Sequence, residues 1–278
     1  MICSMTNTSP IDIAFIGGGN MATAIVGGLI RQGRPAHQIL VIDPVADQRA
    51  RLSSQLGVQT ADGAVPLLQS AGTIVWAVKP QQFKDAAHLY APLTGTALHY
   101  SVMAGLRTDD MARWLGTPRI VRAMPNTPAL VGQGMTGLYA RPEVTPQERQ
   151  AIDALVAPTG QAMWVNQEAD LDAVTALSGS GPAYVFFFIE SMMQAAQEMG
   201  LSAEQGRQLA LATFGGATAL ASQASEPPSV LRERVTSKGG TTYAALTHLQ
   251  AAGVKEAFVA AMQAARRRAG ELGDEFGR

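Results

Sequence analysis

The sequence predicts an α/β N-terminal half followed by an all-α C-terminal half. Two observations lead to this fold class. Up to residue 165, short apolar runs alternate with segments of helical periodicity, a pattern typical of βαβ units and a parallel sheet. From residue 166 onward only helical patterns remain. We therefore expect two domains, residues 1–165 and residues 166–278.

The elements of the first half follow from this alternation. "IDIAFIG" is apolar enough for a buried strand, and the next segment places Met21, Ile25 and Leu29 at helical spacing before Gly33 ends it. A later helix has Thr145 as its expected N-cap and Pro146 in its first turn. The predicted strands are 11–17, 38–43, 72–80, 97–105, 119–125 and a last one at 161–165, and the predicted helices are 20–33, 45–57 and 143–160.

The second half predicts helices over 169–177, 182–200, 203–223 and 255–272. The helix from Pro182 is apolar on nearly every side of its first two turns, which implies burial on several sides. The helix from Ala203 is rich in small residues, which permit close helix packing. These surfaces are buried either against the first domain or against a partner subunit. We favour the partner, because a domain of this size has little room to enclose such helices.

Composition limits the class of protein. The 278 residues are 47% hydrophobic and 15% charged, as in an ordinary globular protein, and the net charge of −1 argues against nucleic-acid binding. The single cysteine, Cys3, excludes an internal disulfide and suits a reducing compartment. The start "MICSMTNTSP" does not resemble a secretory signal, and the apolar run after Pro182 is too short to cross a membrane. We expect a soluble cytoplasmic protein with no membrane partner.

A glycine-rich turn lies between the first predicted strand and the first predicted helix. Gly17-x-Gly19-x-x-Ala22 matches the fingerprint of a Rossmann dinucleotide-binding fold. The first glycine permits a tight turn, the second lets the backbone approach a pyrophosphate, and the small third residue permits helix–strand packing. The helix N-terminus then faces the phosphates. The alternative is a glycine turn that binds no ligand.

The residues after the second strand leave the choice of nicotinamide cofactor open. Asp43 ends that strand, where a carboxylate accepts from a ribose hydroxyl and favours NAD. Arg49 and Arg51 follow and suit a 2′-phosphate instead. Lys79, at the end of the predicted strand 72–80, is either a neighbour of a phosphate or a solvated lysine.

The sequence is short of obvious acid catalysts. Carbonyl reduction needs a proton donor, usually His, Lys or Tyr. The four histidines are scattered, no group has metal-ligand spacing, and "LSGSGPA" does not match a nucleophile elbow. A C=N bond that arrives protonated removes the need for such a donor, because hydride addition then leaves a neutral amine. The protein needs only to orient the substrate and cofactor.

The segment "TSKGGTT" (236–242) interrupts the helical pattern with hydroxyls and glycines. It is suited to presenting N–H groups and hydroxyls to a small anion at the start of the next helix. The alternative is an ordinary helix-to-helix turn capped by Ser and Thr.

Four stretches together resemble the pyrroline-5-carboxylate reductase family: "FIGGGNMATAIVGGL", "AVKPQ", "RAMPNTPALVGQGMTGLYA", and "LSGSGPAY" followed by "LRERVTSKGGTTYAALTHL". The resemblance runs from about Ile11 to Gly270, and the V-T-S-x-G-G-T-T pattern is its most specific part. It implies a Rossmann domain and a helical domain that interleaves with its twin in a homodimer, in some members as a pentamer of dimers. It also implies reduction of 1-pyrroline-5-carboxylate to L-proline, the last step of proline biosynthesis, with NADP(H) preferred and NAD(H) as the alternative.

The resemblance also carries site residues onto this sequence. Thr242 would hydrogen-bond the ring nitrogen and is the candidate for proton delivery, and Asn126 would lie near the nicotinamide. The substrate carboxylate would be held by Ser237, Gly239, Gly240 and Thr241. The cofactor would be lined by Ile16, Gly17, Gly18, Gly19, Asn20, Met21, Ala77, Val78, Lys79, Pro80, Val102, Met103 and Ala104.

Three departures from the family stand out. Lys238 occupies a position where many relatives have Pro, "TADGAVP" lacks an Asn found near the adenine ribose, and Asp43 replaces a small or polar residue. Other interpretations of the sequence are a reductase of a different cyclic imine, a β-hydroxyacid dehydrogenase and a non-catalytic nucleotide sensor. The dehydrogenase would need a lysine shortly after Gly181, where the chain has none.

Overall fold

The structure, a computed structural model, describes residues 10–277; Cys3 and the start segment lie outside the described residues. These residues form two compact units. The first takes in the chain up to Ser180 and from Ala265 onward, and the second is Gly181–Ala264.

The first unit is built on one eight-stranded sheet. Its strand order is β3-β2-β1-β4-β5-β6-β7-β8. The strands from β1 to β3 are added toward one side of the sheet, and those from β4 onward toward the other side, so the strand order reverses between β1 and β4. β1 to β6 pair in parallel, which confirms the predicted parallel sheet there. The strands are β1 Ile13–Ile16, β2 Ile39–Ile42, β3 Gln59–Ala61, β4 Thr73–Trp76, β5 Leu98–Ser101, β6 Ile120–Met124, β7 Gly134–Ala140 and β8 Gly160–Trp164.

Helices of this unit cover both faces of the sheet. β1 and β2 are buried at every position, because side chains on both of their faces enter one of two apolar cores. The predicted cap at Thr145 is confirmed as a capping box with Glu148. The helices are α1 Asn20–Arg31, α2 Ala46–Leu56, α3 Phe83–Tyr90, α4 Thr108–Leu115, α5 Pro146–Val156 and α6 Asp170–Val174.

The far end of the sheet differs from the prediction. β7 runs antiparallel to β6, and β8 pairs in parallel with β7. β7 carries Gly134 and Gly137, which weaken a strand pattern in sequence. A Cβ on Gly137 would lie 2.8 Å from Val174 Cγ1, so α6 packs closely on this strand.

Residues 166–180 belong to the compact unit of the sheet, whereas the predicted domain boundary falls at 165/166. One polar contact between this segment and the sheet is made by Glu168. Its carboxylate accepts from the N–H and hydroxyl of Thr108, at 2.7 and 2.6 Å, and pairs with the buried Arg122 at 3.0 Å. The predicted boundary remains a prediction about folding domains.

The second unit is entirely helical over its described residues. α8 begins with a capping box of Ser202 and Gln205, and a Cβ on Gly206 would lie 3.0 Å from Ala196 Cβ, so α7 and α8 pack closely. No described helix combines the length and apolarity needed to cross a bilayer. The helices are α7 Gly181–Glu198, α8 Ala203–Gln223, α9 Pro228–Arg234, α10 Thr241–Ala251 and α11 Val254–Phe276, the last of which ends in the first unit.

Several large apolar side chains of α7 are exposed in the single chain. Phe186 and Phe187 are 58% and 63% exposed, and Ala196 is the buried residue of this helix. The expected burial on several sides is therefore absent from one copy of the chain.

Candidate functional site

The loops that follow β1, β4 and β5 lie side by side at one edge of the sheet. The Ala77 N–H donates to Ile16 O at 2.9 Å, and the Val102 N–H donates to Trp76 O at 3.1 Å. The structure thus brings together the predicted segments 16–21, 77–80 and 102–104. This edge, at the carboxyl ends of the strands beside a reversal of strand order, is where open α/β sheets bind ligands.

The glycine loop has the two properties that a dinucleotide requires. Gly17 has φ +99°, and a Cβ there would lie 2.5 Å from Ala77 O, so the tight turn depends on glycine. A Cβ on the exposed Gly19 would meet no atom of residues 10–277 within 4 Å. Open space therefore lies over Gly19, where backbone and pyrophosphate would approach each other.

The N-terminus of α1 is available to an anion. Its N-cap, Gly19, contributes no side-chain hydrogen bond, and the first turn contains no acidic residue. The first N–H groups of this helix therefore have no capping acceptor from a side chain, unlike those of α5, which Thr145 caps. Free N–H groups and the helix dipole favour a phosphate at this position.

Some predicted cofactor residues face the core. Ile16 and Met103 are buried in the apolar core, and the Met103 N–H donates to Ser101 Oγ at 3.3 Å. A contact of these two residues with a cofactor would therefore be made through the backbone, and their place in the cofactor site remains a prediction. Lys79 and Ala104 are exposed, as a ligand contact or a solvated residue would be.

Asp43 occupies the predicted position after β2, but its carboxylate is engaged by backbone. Oδ2 accepts from the Gly18 N–H and Oδ1 accepts from the Val45 N–H, both at 2.8 Å. The side chain of Gln48, which the sequence reading missed, donates to Gly18 O.

Arg49 lies next to this turn. Its Nη1 donates to Asp43 O at 2.8 Å and to Pro44 O at 2.9 Å, which fixes the half-buried guanidinium at the end of β2. No described carboxylate forms an ion pair with it, and Arg51 is exposed. The charge of Arg49 is therefore held in place and not neutralised.

Asn126 lies beyond the end of β6, and its side-chain amide forms hydrogen bonds within the protein. Nδ2 donates to the carbonyl oxygen and hydroxyl of Ser178 at 3.2 and 3.1 Å, while Oδ1 accepts from the Met135 N–H at 2.9 Å. The geometry makes Asn126 a brace between two of the stretches that carry the family resemblance. The residue types alone did not reveal this link.

Three of the four histidines lie at the surface and one is buried in the core. His37, His88 and His248 are exposed, whereas His99 is buried and accepts a hydrogen bond from Trp76 Nε1 at 2.9 Å. Burial, with a smaller effect of the positive charge of Arg119, lowers the pKa of His99 to about 4. Among residues 10–277, no group of three or more His, Cys, Asp or Glu side chains is placed to hold a metal ion.

The second unit contains the predicted anion-binding turn. Gly239 has φ +72°, and the Gly240 N–H donates to Ser237 O at 3.0 Å, as in a turn that needs glycine at its third position. Lys238 takes the second position, which suits proline, and is exposed. α10 begins at Thr241 with no side-chain cap and no acid in its first turn.

The hydroxyls of this turn are unlike others nearby. Thr236 and Thr247 donate to the carbonyl oxygens four residues earlier, at 2.6 and 2.8 Å. The hydroxyls of Ser237, Thr241 and Thr242 have no hydrogen-bond partner among the described residues. Free hydroxyls around an uncapped helix N-terminus form a suitable receptor for a carboxylate.

Comparison with known proteins gives the same picture. Residues 168–272 match the family model described as pyrroline-5-carboxylate reductase dimerisation, and residues 12–105 match that of NADP oxidoreductase, coenzyme F420-dependent. The chain is 42% identical over 267 residues to pyrroline-5-carboxylate reductase of Pseudomonas aeruginosa, covering 95% of this chain and 98% of the relative.

Two solved structures are also similar. Pyrroline-5-carboxylate reductase of Coxiella burnetii aligns with a TM-score of 0.89 and 36% identity, covering 95% of this chain and 99% of that one. Pyrroline carboxylate reductase of Plasmodium falciparum, solved with NADP bound, aligns with a TM-score of 0.85 and 27% identity, covering 96% of this chain and all of that one. Since both the sequence and the fold agree over nearly the whole length, this chain belongs to the pyrroline-5-carboxylate reductase family.

Proposed function

We propose that this enzyme reduces 1-pyrroline-5-carboxylate to L-proline with NADP(H), the last step of proline biosynthesis. The observation that carries the proposal is the Ser237–Thr242 turn, where three hydroxyls have no hydrogen-bond partner among the described residues and the N-terminus of α10 has no side-chain cap. A small cyclic amino acid precursor has the one carboxylate that such a turn would bind.

The first unit fits a reduced dinucleotide. We expect the pyrophosphate to bind at the glycine loop. The tight turn at Gly17, the open space at Gly19 and the uncapped N-terminus of α1 all favour this position. When bound, the nicotinamide supplies the hydride. The family model and the NADP-bound relative support NADP(H) as the cofactor.

The chain itself has a modest chemical task. Hydride addition to a protonated imine forms one C–H bond, and the nitrogen keeps its proton, so no oxyanion develops and no strong acid is required. Backbone N–H groups at Thr241 and the hydroxyls of Ser237 and Thr241 would hold the carboxylate. The hydroxyl of Thr242 would hydrogen-bond the ring nitrogen and orient it for the hydride.

The direct test follows the oxidation of NADPH and NADH by absorbance, with 1-pyrroline-5-carboxylate as acceptor. Thr242→Ala should lower kcat/KM for this substrate by roughly 10- to 100-fold, the effect of one hydrogen bond to a charged group. The Kd for NADPH should not change.

Thr247→Ala is the matched control, since it removes a hydroxyl that is bonded within the same helix. It should behave like the wild type. Wild-type turnover by Thr242→Ala would remove Thr242 from the mechanism. Cofactor binding without turnover of this imine would redirect the proposal to another cyclic imine.

We also propose a homodimer, which some members of the family extend to a pentamer of dimers. The dimerisation family model over residues 168–272 and the exposed phenylalanines of α7 support this assembly. Cytoplasmic location, by contrast, stays a prediction from composition.

A further inference from the structure

Gly18, the middle glycine of the cofactor loop, is held on both sides by residues from the second βα unit. Its N–H donates to Asp43 Oδ2 at 2.8 Å, and its carbonyl accepts from the side-chain amide of Gln48. Gly18 is buried, so water has little access to this N–H. Without the carboxylate, a buried donor would lack its acceptor, which is costly.

The second oxygen of Asp43 is also in use. Oδ1 accepts from the Val45 N–H at 2.8 Å, which closes the turn between β2 and α2. The carboxylate thus joins the glycine loop to the turn beside it. A carboxylate that recognises ribose instead needs an oxygen directed at the ligand.

We infer that Asp43 is a positioning residue that keeps the glycine loop in its binding conformation and does not select between cofactors. The inference rests on the proposed function for the identity of the cofactor. It replaces the expectation that Asp43 accepts from a ribose hydroxyl and disfavours a 2′-phosphate. Loss of the carboxylate should then weaken NADPH and NADH alike, because both share the pyrophosphate that the loop receives.

The kinetic test uses Asp43→Ser. We expect KM to rise about tenfold or more for both NADPH and NADH, as for loss of a hydrogen bond to a charged group. kcat at saturating cofactor and the ratio of the two KM values should stay within about twofold of the wild type. A lower KM for NADPH, or a tenfold change in that ratio, would overturn the inference.

A second readout needs neither substrate nor turnover. Amide hydrogen exchange in the cofactor-free protein should show faster exchange at Gly18 and Val45 in Asp43→Ser, with protection in β5 and β6 unchanged. Unchanged exchange at both amides would contradict the proposed role of Asp43 in holding the glycine loop. Because hydrogen exchange in the cofactor-free protein does not involve the imine, a failure of the proposed reaction would be distinguishable from a failure here.

Two further variants separate the hydrogen bonds made by Asp43 from a general effect of its charge. Asp47→Asn removes an exposed carboxylate from the first turn of α2, close to Asp43 in sequence, and should leave both KM values unchanged. Asp43→Asn keeps one acceptor oxygen and should fall between Asp43→Ser and the wild type. If Asp43→Ser does not fold, the KM values and hydrogen exchange of Asp43→Asn test the inference instead. Equal effects of Asp47→Asn and Asp43→Asn would overturn the inference.

Discussion

At the scale of single residues, the cofactor loop separates what the fold requires from what the ligand requires. Gly17 is needed by the fold, because its positive φ and its approach to Ala77 O exclude a side chain. Gly19 has no such neighbour. The sequence fingerprint identifies both glycines, but it does not show which of them the protein alone would tolerate losing.

Gly19→Val should therefore abolish cofactor binding and leave the fold intact. A Cβ at this position meets no atom of the described residues within 4 Å, and a side chain there enters the space where a pyrophosphate would lie. We expect Kd for NADPH to rise at least 100-fold, with a Tm close to that of the wild type. Gly17→Val is the contrast, since it should lower the Tm itself. Undiminished NADPH binding by Gly19→Val would mean that the loop does not hold the pyrophosphate.

Arg49 should carry the preference for the 2′-phosphate. Its guanidinium is fixed by two carbonyl oxygens and has no carboxylate partner among the described residues. Arg49→Gln should raise the Kd for NADPH roughly tenfold and leave that for NADH nearly unchanged. Arg51→Gln, at an exposed position in the same helix, should change neither value. Titration of both cofactors would reveal a misassignment if Arg51→Gln had the larger effect.

At the residue level, the sequence predicted the glycine loop but not the side chains that hydrogen-bond to it. The glycine spacing predicted where a dinucleotide binds, because steric demands on a backbone follow from residue type. We propose a different role for Asp43 from the one expected, because residue type alone does not show that the Gly18 and Val45 N–H groups reach its carboxylate. That contact depends on local backbone geometry.

At the scale of elements, strong patterns were predictable and short ones were not. β1, β2 and α5 follow from apolar runs and a capping signature. β3 has three residues with no apolar pattern, and β7 contains glycines. Their pairing partners stabilise these two strands, and such long-range pairing cannot be read from a local window.

Trp76 and His99 join the neighbouring strands β4 and β5, and this link should make stability depend on pH. The folded pKa of His99 is about 4, against 6.5 for an ordinary histidine, because burial disfavours the charged form. Between these values the unfolded chain binds the extra proton, so stability falls as pH falls from 6.5 to 4. The expected loss is on the order of 3 kcal/mol.

His99→Gln isolates this effect, since its amide oxygen accepts from Trp76 Nε1 and does not titrate. Urea unfolding at pH 4.5 and pH 7 should show a smaller acid loss in the variant than in the wild type. At pH 7 the variant should be less stable by about 1 kcal/mol. Parallel pH profiles would mean that His99 does not titrate on unfolding in this range.

At the scale of the whole molecule, the apolar content of the C-terminal half exceeds what one copy buries. Phe186 and Phe187 stay more than half exposed, and α10 has no buried residue. The sequence indicated this excess, because the pattern of α7 is apolar on several sides. It did not show which side chains remain uncovered, since that depends on how the helices of this unit pack.

Phe187→Glu should therefore disrupt the proposed homodimer. A charge placed in an apolar interface loses its hydration without a partner, so we expect the dimer Kd to rise at least 100-fold. Sedimentation velocity over a range of concentrations measures this change. Leu89→Glu is the matched control, because Leu89 is a similarly exposed apolar residue on α3, outside the dimerisation region. A wild-type chain that sediments as a monomer, or a Phe187→Glu variant that associates as tightly as Leu89→Glu, would contradict an interface at α7.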